Sequence, residues 1–137
     1  MERSEGGRVL AVDYGRRHLG IAMSDPLRVI ASPFRTVDIV NPDQGIRVVA
    51  DLVQEWYATE LVVGLPLSLS GDEGPMAFEV RQWAERLGSS CRLPVHLIDE
   101  RLTSVEADRV SHVTGRRTRS DDIAAALLLQ AYLEERR

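Results

Sequence analysis

Three groups of acidic residues stand at the mouths of apolar runs, far apart in a chain of 137 residues. Val9-Leu10-Ala11-Val12 runs into Asp13, Val95-His96-Leu97-Ile98 runs into Asp99-Glu100, and Ser120-Asp121-Asp122 opens the apolar stretch from Ile123 to Leu133. A carboxylate at the end of a buried strand or helix is costly to desolvate unless something positive shares it. Three such positions suit a hard divalent cation, Mg²⁺ or Mn²⁺, which takes oxygen ligands. One or two ions held this way orient a water and stabilise the charge developing on a phosphodiester, which is nuclease chemistry. Singly, each acid also has a structural reading: Asp13 sits at an ordinary strand-to-turn junction, and Asp121 and Asp122 oppose the dipole of the helix they begin.

Positive charge lies close to these acids. The net charge of −4 argues against a nucleic-acid binder, but all 17 basic residues are arginine, and they cluster as Arg16-Arg17 and as Arg116, Arg117 and Arg119. Arginine grips phosphate through a two-pronged fork where lysine acts as a point charge. These five are the predicted nucleic-acid-binding residues.

The elements that must position this chemistry read as follows. Val9 to Asp13 is a buried strand, Leu19 to Ser24 a second, and Val29 to Val37 a third that Pro33 interrupts; short links make the three an antiparallel meander. Asn41-Pro42-Asp43 starts a helix, with Ile46, Val49, Ala50, Val53, Trp56 and Tyr57 on one stripe. Leu61 to Gly64 is a short buried strand, and Gly64-Leu65-Pro66-Leu67 a backbone wall or a structural turn. A second helix buries Val80, Trp83, Ala84 and Leu87 and stops at Gly88. Val95 to Ile98 is the last strand. Thr103 to Glu106 has capping-box spacing for a helix over 105–113, and 111–120 is a candidate mobile loop. Ser120 caps a final helix whose apolar face is Ile123, Ala124, Leu127, Leu128 and Ala131. The whole predicts one α/β domain over 8–137, a mixed five-stranded sheet flanked by helices, behind a disordered lead-in over 1–7.

No run reaches the roughly 20 apolar residues that cross a membrane. The polar start carries no signal-peptide core. Cys91, the single cysteine, excludes an internal disulfide and fits a reducing cytoplasm. The histidines lack zinc-motif spacing.

Four segments carry a family resemblance: VDYGRRHLGIAMSD (12–25), VVGLPLSLSGDEG (62–74), DERLTSVEA (99–107) and SDDIAAALLLQAYL (120–133). In this order they resemble the YqgF/RuvX family, Holliday junction resolvases also described as pre-16S rRNA nucleases. The resemblance implies an RNase H-like fold and a metal-dependent nuclease with Asp13, Glu100 and Asp121 as catalytic metal ligands. Asp99 and Asp122 are the alternates: Asp122 stands where the family commonly has a small residue, and Glu100 is preferred over Asp99 by the resemblance together with strand alternation. The arginines at 116, 117 and 119 replace a loop that is often lysine-rich. The expected substrate is precursor rRNA, in 5′-end processing of pre-16S rRNA. The alternatives are branched DNA, cut by a Holliday junction resolvase, or a non-catalytic nucleic-acid-binding module. An actin-like ATPase shares the Asp-x-Gly start but clamps nucleotide between two such domains. The protein is expected to act as a monomer or a homodimer.

Overall fold

The computed structural model describes residues 6–101 and 120–136. The helix expected over 105–113, the loop before residue 120 with Arg116, Arg117 and Arg119, and residues 1–5 of the lead-in lie outside the described residues. Gly7, the end of that lead-in, donates its N–H to the Pro26 carbonyl.

The apolar runs become strands β1 (Arg8–Asp13), β2 (His18–Ser24), β3 (Ala31–Asp38), β4 (Ala58–Leu65) and β5 (Val95–Asp99). They form one mixed sheet in the order β3-β2-β1-β4-β5. β1, β2 and β3 make the expected antiparallel meander, while β4 and β5 add in parallel beside β1. Pro33 is tolerated because β3 is an edge strand whose register shifts beside it. Val29 and Ile30 fall outside that strand and are exposed, so the third strand starts later than its apolar run.

Helices α1 (Pro42–Trp56) and α2 (Pro75–Cys91) cover one face. Asn41 caps α1, its side chain accepting from the Gln44 N–H at 2.9 Å. Tyr57, placed on the helical stripe by its spacing, instead ends the helix with φ 57° and is exposed. Gly88 does not stop α2, which runs on to Cys91 and ends at Arg92. A Cβ at Gly88 would lie 3.0 Å from Val95 Cγ2, so this glycine lets the helix approach β5. Between these helices and the sheet lie Leu10, Val12, Leu19, Ile21, Leu61 and Val63 with Val49, Trp83 and Leu87.

Among the described residues, helix α3 (Asp121–Glu135) is the one that covers the opposite face. Its buried residues are Ala125, Leu128, Leu129, Tyr132 and Leu133, a face turned from the expected one, with Leu128 alone in common. The sheet beneath offers Val9, Ala11, Ala22 and Val62. Side chains on this face shrink toward one end, from Val9 to Ala11, Ala22 to Gly20 and Val62 to Gly64, so the start of the helix descends onto backbone. Among the described residues no helix is long and apolar enough to cross a membrane.

Candidate functional site

Alternation along the strands assigns each acid a face. Val9 and Ala11 pack under α3, so Asp13 points to that side; Ile98 packs there too, which puts Glu100 on the same side. Leu97 packs under α1 and α2, and Asp99 goes with it.

Two glycines then fix the spacing. Asp13 is paired with Gly20 across β1 and β2, and one step beyond the parallel pair Val12–Val63 sets it beside Gly64. A Cβ on Gly20 would lie 2.0 Å from the Asp121 carbonyl oxygen and 2.7 Å from the Asp121 Cβ. A Cβ on Gly64 would lie 2.5 Å from Oε2 of Glu100 and 2.7 Å from its Cγ. Adjacent strands stand about 4.8 Å apart, so Asp121, Asp13 and Glu100 form one short row, with Asp121 seated on Gly20 and Glu100 on Gly64. All three lie where β1, β4 and β5 end and α3 begins. The row's oxygen donors suit a hard cation, and the two missing side chains let Asp121 and Glu100 settle on either side of Asp13. Among the described residues no three His, Cys, Asp or Glu side chains are already gathered as a metal cage. Sharing an ion therefore requires the row's side chains to turn toward one another.

The alternates are engaged otherwise. Asp99 accepts from the Arg101 backbone N–H at 2.9 Å, from its Nε at 3.0 and 3.1 Å and from its Nη2 at 2.7 Å. The Arg101 guanidinium holds the Asp99 carboxyl below the usual carboxylate range. Arg101 also donates to the Ser68 and Leu69 carbonyls, which ties the loop after β4 to the end of β5. Asp122 turns back on its own helix, its Oδ1 accepting from the Ile123 N–H at 3.0 Å, while its own N–H donates to Thr36 Oγ1. Ser120 holds the N-cap position without a side-chain capping bond.

Of the arginines, Arg17 is exposed, and Arg16 is bonded to Glu79, a partner the sequence does not reveal because it lies 63 residues away on α2. Gly20 lies within β2 as expected, and the docking of α3 explains why the position carries no side chain.

A second polar cluster lies toward the other end of the α3 face. Glu60 receives Arg28 Nη1 at 2.6 Å, His96 Nε2 at 2.6 Å and the Tyr132 hydroxyl. Burial acts to raise the Glu60 carboxyl, and the bonds from Tyr132, Arg28 and His96 outweigh it, leaving a net downward shift from 4.5. Tyr132 is pushed up to about 12 by burial and by Glu60. A carboxyl lowered in the folded state stabilises above its unfolded value and loses that contribution as the pH falls. Glu60→Gln is therefore expected to cost about 2 kcal/mol at pH 7, less than a fully buried pair because the site is partly wet. The difference should shrink below about pH 4.5 in denaturant titrations; an equal gap at pH 7 and pH 3 would refute the linkage.

A family model described as RuvX, Holliday junction resolvase, matches residues 7–135. A protein of Roseiflexus sp. (strain RS-1) named "Putative pre-16S rRNA nuclease" is 40% identical, with 98% of this chain and 99% of that protein covered. A namesake from Methylobacillus flagellatus is 40% identical over 96% and 93%. Among solved structures, Thermus thermophilus RuvC in complex with a Holliday junction substrate covers 95% of both chains with a TM-score of 0.63 at 14% identity. That likeness shows the fold, which is RNase H-like.

Proposed function

The chain belongs to the RuvX family of Holliday junction resolvases, and on that premise we propose that it is a divalent-metal-dependent endonuclease whose substrate is pre-16S rRNA. The observation that carries this is the row of Asp121, Asp13 and Glu100 seated on Gly20 and Gly64. In this proposal those three are the ligands of Mg²⁺ or Mn²⁺. A bound ion orients the attacking water and offsets charge developing on the phosphate. Asp13 occupies the middle of the row on a rigid central strand, and Glu100 reaches from a strand end with a longer side chain. Asp99 acts one step removed, by fixing Arg101 and the loop it straps. Arg16, Arg17 and the arginines at 116, 117 and 119 hold flanking phosphates.

The choice of RNA rests on the names of relatives at 40% identity. The family description favours branched DNA instead, and symmetric junction cutting needs two sites, hence a homodimer, where trimming one RNA end needs only a monomer. One assay separates these: metal-dependent cleavage of a pre-16S 5′-leader RNA and of a four-way DNA junction, by wild type and Asp13→Asn. Cleavage of the RNA alone, lost in the variant, is expected. Junction cleavage alone would move the substrate to DNA. Binding without cleavage of either would leave a non-catalytic module.

Replacing Arg116, Arg117 and Arg119 together by alanine is expected to weaken binding about evenly across sequences. The slope of log affinity against log salt should flatten by up to about three units. An unchanged slope would show that these arginines do not reach phosphate.

A further inference from the structure

Arg16 follows Asp13 by three residues and is two-thirds exposed, yet its guanidinium is fixed on one side. Its Nε donates to Glu79 Oε1 and Oε2 at 3.0 and 2.9 Å, and its Nη2 to Oε1 at 2.6 Å. The Tyr14 hydroxyl donates to Oε2 of the same carboxylate. The Tyr14 ring lies 4.8 Å from that of Trp83, which is buried and anchored by its Nε1–H to the Pro42 carbonyl. Rigidity thus passes from the core through Trp83, Tyr14 and Glu79 to a guanidinium on the α2 side of the sheet, three residues beyond Asp13. The bonds from Arg16 and then Tyr14 pull the Glu79 carboxyl down to about 2, so the pair is intact at any physiological pH.

We propose that Glu79 is a positioning residue that locks the Nε–Nη2 edge of Arg16 and leaves its outer edge, Nη1 with the second N–H of Nη2, open to a backbone phosphate of a substrate running past the end of β1. This rests on the nuclease reading. A free surface arginine must surrender many rotamers to bind phosphate bidentately; here that entropy is lost on folding, before substrate arrives. The same carboxylate also opposes an approaching phosphate, since it lies within a Debye length of about 8 Å. Orientation and charge therefore act with opposite signs, and the sign of the Glu79 variants decides between them.

The test measures binding of a labelled hairpin RNA with a single-stranded 5′ extension, and of a four-way DNA junction, across a salt series. Glu79→Gln is expected to weaken binding about fivefold to tenfold although it removes a negative charge, a size fitting one lost oriented charge-assisted contact. Arg16→Ala should weaken it similarly and lower the salt slope by about 0.7–0.9, one phosphate. The double variant should bind no more weakly than Arg16→Ala, because Glu79 works only through Arg16. Glu79→Asp keeps the charge and shortens the reach, and should also bind more weakly, which preserves the test if Glu79→Gln folds poorly. Tighter binding by Glu79→Gln, or additive losses in the double variant, would overturn the proposal while leaving the nuclease reading in place. Failure of wild type to bind either probe would overturn both.

Discussion

Asp13→Asn is expected to cut metal-dependent cleavage by about a thousandfold or more while leaving nucleic-acid affinity nearly unchanged. The substitution keeps the shape of the side chain and removes the charge of one proposed ligand from the middle of the row, where Asp121 and Glu100 flank it across Gly20 and Gly64. An ion that stabilises developing charge supplies several kcal/mol, and each 1.4 kcal/mol is about tenfold in rate. In the proposed reading, phosphate affinity comes instead from the arginines at 16, 17, 116, 117 and 119. In metal-free buffer the variant should melt no lower than wild type, because it relieves repulsion among neighbouring carboxylates. Wild-type turnover by the variant would sink the assignment of Asp13, and a clear loss of melting temperature without metal would make it a structural residue.

Gly20→Ala should damage both fold and activity. The added Cβ would lie 2.0 Å from the carbonyl oxygen of Asp121 and 2.3 Å from its carbonyl carbon. The obstacle is backbone, which no rotamer change can clear, so the start of α3 must lift off the sheet. Overpacking of this kind costs about 3 kcal/mol. A displacement near 1 Å at a reacting centre costs about a hundredfold in rate. Gly64→Ala is the matched comparison, because its Cβ would meet the flexible end of Glu100 instead. It should leave denaturant stability near wild type and lose cleavage. Equal stability of Gly20→Ala and wild type would show that α3 docks elsewhere.

The strands were legible because buried strands are continuous apolar runs, and the start of α1 because Asn41-Pro42 is a local capping signal. The burial face of α3 was not. Ile123 to Leu133 is apolar nearly all round, so helical period selects no side; the contact of Asp121 with Gly20 selects it. Gly88 misled for a related reason, since a glycine marks either a helix end or a close approach, and only the position of Val95 tells which. The acid row itself was readable as three strand and helix mouths, but its order came from pairings of residues tens of positions apart. Glu60 with Arg28, His96 and Tyr132, and Glu79 with Arg16, join elements that share no local pattern.

Helix α3 supplies the last acid of the row and, among the described residues, the cover of one sheet face. On the ribosome Asp13 and Glu100 emerge first, and at roughly 5–20 residues per second the final helix follows only seconds later. Until it docks, the nascent chain lacks Asp121 and shows Val9, Ala11, Ala22 and Val62 to solvent. A product broken off before that helix would lack the proposed third ligand and carry an uncovered apolar face, the kind of surface that chaperones and proteases recognise. On the proposed reading, incomplete copies would be inert and exposed to clearance, so interrupted synthesis would not release a stray hydrolase.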